Sequence, residues 1–194
     1  MKIKKEIKKF LLAALITTTL FFAACSGARS ISGYKPFLSN DYAKSRSTEL
    51  KVRIPLGWFT ALDNENNVID LWLIKDDHKA VMNLMRLNID GDAIKETKGY
   101  PLLAGVKFSK MYKKASLKID FEVMGDDEYF DIGENTYGSY LYRNKSGAIA
   151  RVVVFQYKGK LFELSAIPSP QTDNVTFNSK DLFFIQEAVL SSVE

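Results

Sequence analysis

Arg151-Val-Val-Val-Phe-Gln-Tyr157-Lys-Gly-Lys160-Leu-Phe-Glu-Leu-Ser-Ala-Ile167 is the stretch that decides the fold. Two runs rich in β-branched and aromatic residues flank Lys158-Gly159-Lys160, the composition of a tight hairpin. Val152, Val153, Val154 and Phe155 are apolar on both faces. A strand of that kind is covered from both sides, so this hairpin belongs in the middle of a sheet with a layer above and below it. Pro168 and Pro170 end the second run.

The chain on either side supplies those layers. Tyr137 to Tyr142 reads as another strand, of aromatic and small residues. Before it, Leu117, Ile119, Phe121 and Val123 alternate with Lys118, Asp120 and Glu122, which predicts a strand to Met124. The acidic stretch Gly125 to Glu128 predicts a loop. From Pro101 to Ala115 the period becomes helical, with Leu102, Leu103, Val106 and Met111 or Tyr112 as the apolar stripe. Pro101 suits a first turn, and Lys107, Lys110 and Lys114 fall on the wet side. At the other end, Asn178 can cap a helix running to Val193, with Leu182, Ile185, Val189 and Val193 buried.

The domain opens with Leu50, Val52 and Ile54 alternating with charged residues, a half-buried strand. Pro55-Leu56-Gly57-Trp58 makes a turn, and Asp63 to Asn67 a hairpin loop. Val68 to Ile74 and Ala80 to Ile89 predict two more strands around a turn at Asp76-Asp77-His78. Strands and helices together read as one globular domain of mixed α/β class. Neither an internal repeat nor a second domain is evident. The order of these elements, with Ile54-Pro55-Leu56-Gly57-Trp58, Val68 to Trp72, the long hairpin and the closing helix, resembles the PsbP-like superfamily, which includes DcrB-like bacterial lipoproteins. The resemblance covers about residues 48–194. It implies an α+β fold, an antiparallel β-sheet flanked by helices in an α/β/α sandwich, and an accessory or binding role, but no particular partner.

The first 24 residues have another character. Lys2, Lys4, Lys5, Lys8 and Lys9 precede an uncharged run from Phe10 to Ala24. That run is shorter than the ~20 apolar residues a bilayer core requires. A basic start, a short apolar segment and small residues at its end mark a cleaved signal peptide. Ala23-Ala24-Cys25 resembles a bacterial lipoprotein signal, in which a diacylglyceryl group is added to the thiol. The chain is then cut before the cysteine, and the new amine is acylated with a chain such as palmitate. Phe22 departs from the pattern, where Leu is commonest, and points to a lineage with a looser signal. Cleavage near Ala24 or Ala28 with Cys25 incidental is the competing reading. With Cys25 lipidated, the membrane is a partner through the covalent lipid. Ser26, in place of the Asp that retains some lipoproteins at an inner membrane, favours an outer membrane in a Gram-negative organism.

The signal also accounts for the charge. The whole chain is +4, but residues 1–24 hold five Lys and one Glu; without them 22 basic and 22 acidic side chains balance. That excludes a global nucleic-acid-binding signature. Cys25 is the only cysteine; with it lipidated no thiol remains, which excludes thiol catalysis and cysteine-based zinc sites as well. Residues 25–47 read as a lipidated start and flexible tether, with six Ser and two Gly among residues 26–47. Tyr34, Phe37 and Tyr42 are the exceptions that let part of the tether dock on the domain.

Chemistry is sparse in the remainder. His78, the only histidine, reads as a turn residue; no second His or Cys completes a transition-metal site, and no G-x-S-x-G occurs. Asp90, Asp92 and Asp126 to Glu128 lack the spacing of a calcium loop. No catalytic residue, metal or cofactor is expected. With 12% aromatic residues, some are expected at the surface, and Trp58, Trp72, Tyr140 and Tyr142 are the candidate binding surface. The expected function is a membrane-anchored envelope lipoprotein, non-enzymatic, acting through contacts with a protein partner. The alternative is a binder of a small apolar ligand or lipid in a pocket between sheet and helix.

Overall fold

The computed structural model describes residues 33–61, 69–169 and 178–194. The signal segment, Cys25, the Asp63–Asn67 loop and Val68 lie outside the described residues.

Nine strands form in chain order: β1 (Leu38–Lys44), β2 (Lys51–Pro55), β3 (Trp58–Ala61), β4 (Leu71–Lys75), β5 (Ala80–Leu87), β6 (Glu122–Ile132), β7 (Asn135–Arg143), β8 (Ile149–Tyr157) and β9 (Lys160–Pro168). The helices are α1 (Gly91–Glu96), α2 (Pro101–Leu117) and α3 (Ser179–Leu190). β1 and β2 pair as a two-stranded ribbon; the other seven strands make one antiparallel sheet ordered β3-β4-β5-β9-β8-β7-β6. After β5 the chain crosses the sheet through α2 to the far edge and returns as a meander, β6 to β9, until β9 docks against β5. The Arg151–Ile167 hairpin is therefore central, as its two apolar faces require. α2 covers one face and α3 the other, giving the expected sandwich.

Local chemistry sets the element ends. Gly57 turns β2 into β3 at φ +73°, a left-handed backbone conformation that favours glycine. Pro101 stands in the first turn of α2, and Asn178 caps α3 by accepting from Lys180 N–H.

Three expectations are corrected. Residues 35–44 are not tether: Lys35–Phe37 form a 3-10 turn and Leu38–Lys44 form β1, paired with β2. Tyr34 and Ala43 join the core, so the domain starts near residue 34 rather than 48. Leu117 to Phe121 is not a strand: α2 runs to Leu117, a 3-10 turn follows, and Ile119 stands 92% exposed. Leu117 and Phe121 still pack partly buried against the α2-side core, outside any strand. Gly125 to Glu128 is not a loop but a bulge inside β6, where the register against β7 shifts between Met124 and Glu128.

Candidate functional site

The two faces of the sheet are filled differently. On the α3 side, Leu182, Ala188, Val189 and Leu190 pack with Leu73, Met82, Leu84, Tyr137, Phe155, Phe162 and Leu164 in one apolar core, extended by Leu50 and Val52. One polar knot ties the helix down. Arg151 donates through Nε to Gln186 (2.6 Å), through Nη1 to Glu187 (2.8 Å) and through Nη2 to the Phe183 carbonyl (2.7 Å). The Tyr34 hydroxyl donates to the other Glu187 oxygen at 2.7 Å.

On the α2 side the contact is closer and more polar. The buried residues of α2 are Ala104, Gly105, Val106, Ser109 and Lys113, not the large stripe the sequence predicts; Met111 and Tyr112 point outward. A Cβ on Gly105 would meet Val154 Cγ1 at 2.8 Å, and one on Gly138 would meet Val106 Cγ2 at 2.8 Å. Helix and sheet approach each other through two glycines. Beneath the helix, fully buried Glu163 accepts from Lys113 Nζ (2.6 Å), from the Ser109 hydroxyl and from Ser165 (3.3 Å). Ser109 also shares a hydrogen bond with the Tyr140 hydroxyl at 2.7 Å. Burial, and next the charge of Glu163, raise the Tyr140 phenol far above its ordinary range and push Tyr142 up to about 12. Lys110 reaches across to both oxygens of Asp127 in the β6 bulge (2.8 and 2.7 Å), so one lysine of the expected wet face is tied down.

α2 lies over β7, β8 and β9 and meets β5 only at its margin. Beyond that margin, cross-strand rows continue onto β5, β4 and β3: Val81, Ile74 and Phe59 in one, Asn83, Trp72 and Ala61 in the next. Ile74, Val81, Met85 and Trp72 are only partly buried, and Phe59 is 41% exposed with its ring edge-on to His78. Trp72 and Asn83 face each other across β4 and β5. Trp72 Nε1 and Asn83 Oδ1 are buried without a hydrogen-bond partner. Buried polar atoms are nearly always paired, which singles out this place on the sheet. Where α2 meets β5, Met85, Leu87, Phe108 and Tyr112, with Asp70 and Arg86, line a cleft of about 390 Å³. An apolar ligand between sheet and helix would meet Asp70 and Arg86 at this cleft.

The expected binding surface does not assemble. Trp58 is 8% exposed and packs in the α3-side core, because position 58 alternates onto that face with Leu73 and Leu71. Tyr140 and Tyr142, at 1% and 3% exposure, lie under α2 and are core residues. Of the four, Trp72 alone sits on the part of the α2-side face that α2 leaves uncovered. Its neighbours Phe59, Ile74, Val81, Asn83 and Met85 escape sequence reasoning, since period-2 alternation fixes which residues share a face but not how far a helix extends over it. One signal is there to be read: Glu163 inside Leu-Phe-Glu-Leu-Ser-Ala is a charge at a position both layers cover, so it requires a buried partner.

These features define a PsbP-like α+β fold, and comparison with known proteins agrees. The solution structure of cyanobacterial PsbP (CyanoP) from Synechocystis sp. PCC 6803 superposes with a TM-score of 0.53 at 17% identity, covering 88% of this chain and 96% of that one. LpqN, involved in cell envelope biogenesis of Mycobacterium tuberculosis, gives a TM-score of 0.43 at 14% identity over 87% of this chain and 98% of its own. A protein from Bacteroides thetaiotaomicron gives 0.32 at 13% identity, over 75% and 44% of the two chains. No protein-family model matches the chain, and no curated protein matches it in sequence.

Proposed function

We propose that this chain is an accessory module of the bacterial cell envelope, held to a membrane by lipid on Cys25, that works by binding a protein partner rather than by catalysis. The observation carrying the reading is the half-covered sheet face. Phe59, Trp72, Ile74, Val81 and Met85 give it apolar area, and among the described residues Trp72 Nε1 and Asn83 Oδ1 lie buried and unpaired beneath it. An interface with an apolar centre and a few polar anchors has this composition. The signal pattern ending at Cys25 supports the anchor.

Two measurements in cells test the reading. Cys25→Ser is expected to abolish incorporation of labelled palmitate; persistent labelling would defeat the anchor. A photo-crosslinker at Val81 or Met85 is expected to capture one envelope protein that the same group at Lys114, on the exposed side of α2, does not. Equal capture from both positions would defeat the contact surface.

A further inference from the structure

A second apolar surface lies away from the half-covered face, where the chain enters the domain. Phe37, Leu56 and Phe184 come from three separate segments and are 42%, 62% and 42% exposed. The Phe37 and Phe184 rings meet edge-on at 5.1 Å, and Tyr34 lies against Phe184 at 5.2 Å. The Leu56 amide donates to the Phe37 carbonyl at 2.9 Å, which fixes the β2–β3 turn beside the two rings. Clustered apolar side chains of this size at a surface mark a contact rather than the scattered exposure every protein shows.

The length of chain before this patch selects what it touches. Gly33 precedes Tyr34 directly, and eight residues carry the chain from Cys25 to Gly33. Fully extended they span at most about 29 Å, and as a coil about 16 Å. A domain of this size is about 40 Å across. The lipid therefore holds the patch close to the bilayer, and the chain is too short to run round to the opposite end of the sheet. That end carries the β6–β7 turn at Gly133–Glu134 and the β8–β9 turn at Lys158–Gly159. Charge is mixed here: Arg29 and Lys35 precede Asp41, and exposed Asp76 donates its amide to the Gly57 carbonyl beside the β2–β3 turn, so the apolar side chains and the short reach carry the argument. Exposed Lys180 lies one helical turn before Phe184, with Asp181 beside it.

We propose that the domain rests on the bilayer through Phe37, Leu56 and Phe184, a second contact point added to the lipid on Cys25. Phe and Leu enter the headgroup–acyl boundary while Lys35 and Lys180 remain at anionic headgroups. The acyl chains on Cys25 hold the protein at the bilayer but leave the domain free to turn, and a second apolar contact fixes its orientation. The strands then stand with the β2–β3 turn at the membrane, and the half-covered face looks sideways along it, accessible to another membrane-bound protein. The proposal rests on the lipid-anchor reading.

The test uses the full chain, processed in bacteria, purified and reconstituted into vesicles of phosphatidylethanolamine and phosphatidylglycerol. A lipidated Cys25 has no free thiol, so a cysteine introduced by Leu56→Cys, Phe184→Cys or Glu134→Cys takes an environment-sensitive fluorophore alone. Brominated lipids are expected to quench the label at 56 and 184 several-fold more than at 134. Adding Phe37→Ser is expected to lower quenching at 56 and leave flotation with the vesicles intact, with circular dichroism confirming the fold. Equal weak quenching at all three positions in protein that floats would overturn the proposal and leave the anchor standing. Protein that does not float would overturn the anchor, and this proposal with it.

Discussion

On the α3 side of the sheet, Leu182, Val189 and Leu190 press large side chains onto Phe155, Phe162 and Leu164, and Leu50 and Val52 of the β1–β2 region extend the cover. On the α2 side the helix descends through Gly105 and Gly138 until its buried residues are Ala104, Ser109 and Lys113, and half of the face has no described helix over it. Both sides hold a buried ion pair. On the sealed side Arg151 meets Glu187 amid Gln186, Tyr34 and the Phe183 carbonyl. On the other side Lys113 meets Glu163 at the edge of the cover, with two serines. The difference separates two tasks. One face holds the domain together by apolar volume; the other uses polar ties to keep a small helix in place and leaves sheet surface over.

The largest expected effect tests that separation directly. Arg151→Ala removes three side-chain hydrogen bonds, and Glu187 loses this cation while keeping the Tyr34 hydroxyl. Breaking one partner of a buried pair costs about 3–5 kcal/mol. Lys113→Ala leaves Glu163 with the Ser109 and Ser165 hydroxyls, and removing the lysine, whose side chain is 11% exposed, opens a path for water to the carboxylate, so about 1–3 kcal/mol is expected. Urea denaturation of both variants gives the two numbers. Equal losses would mean that the half-open face is as sealed as the other.

Alkali offers a matched pair. Tyr137, on the α3 side, and Tyr142, on the α2 side, are both pushed up to about 12, each chiefly by burial, with the charge of Glu163 adding to Tyr142. A phenol raised above its unfolded value of about 10 contributes stability that is intact below about pH 10 and is lost as pH rises through about 12. A shift of this size corresponds to about 2–3 kcal/mol for each. Denaturation midpoints are expected to fall steeply across that window, and Tyr137→Phe or Tyr142→Phe to flatten the fall. A midpoint flat to pH 12 in the unaltered protein would contradict the burial of both phenols.

Much of this architecture is legible in the amino-acid sequence. Val152 to Phe155 announce a strand covered twice, and Asn178 and Pro101 mark the helix starts. What escapes are features that depend on distance between layers. Nothing local tells that Met111 and Tyr112 point outward while Lys113 is buried, because a helical stripe is normally apolar; the reason is Glu163, on a strand far along the chain. Tyr140 and Tyr142 look available because aromatics in strands read alike whether or not a helix lies above them. Tyr34, Phe37 and Tyr42 stand out as misfits in a polar stretch, and of these Tyr34 docks in the core while Phe37 and Tyr42 stay exposed. Cys25 lies outside the described residues, so the anchor rests on the pattern of the chain's first residues alone.

The smallest expected effect on stability is the sharpest test of what the half-covered face is for. Trp72→Phe removes a buried N–H that has no acceptor and keeps most of the ring's apolar area. A buried donor left unpaired costs about 1–3 kcal/mol, while the smaller ring gives back part of the contact, so the variant should be unchanged or more stable by about 1 kcal/mol. Were the indole there to hold the fold, it would have been paired, as the Tyr34 hydroxyl is paired with Glu187 on the other side. If instead the partly exposed indole ring belongs to the surface that the partner covers, Trp72→Phe should lose crosslinking from Val81 while the denaturation midpoint stays level or rises. A fall in stability together with unchanged crosslinking would assign Trp72 to the core, and with it this half of the sheet.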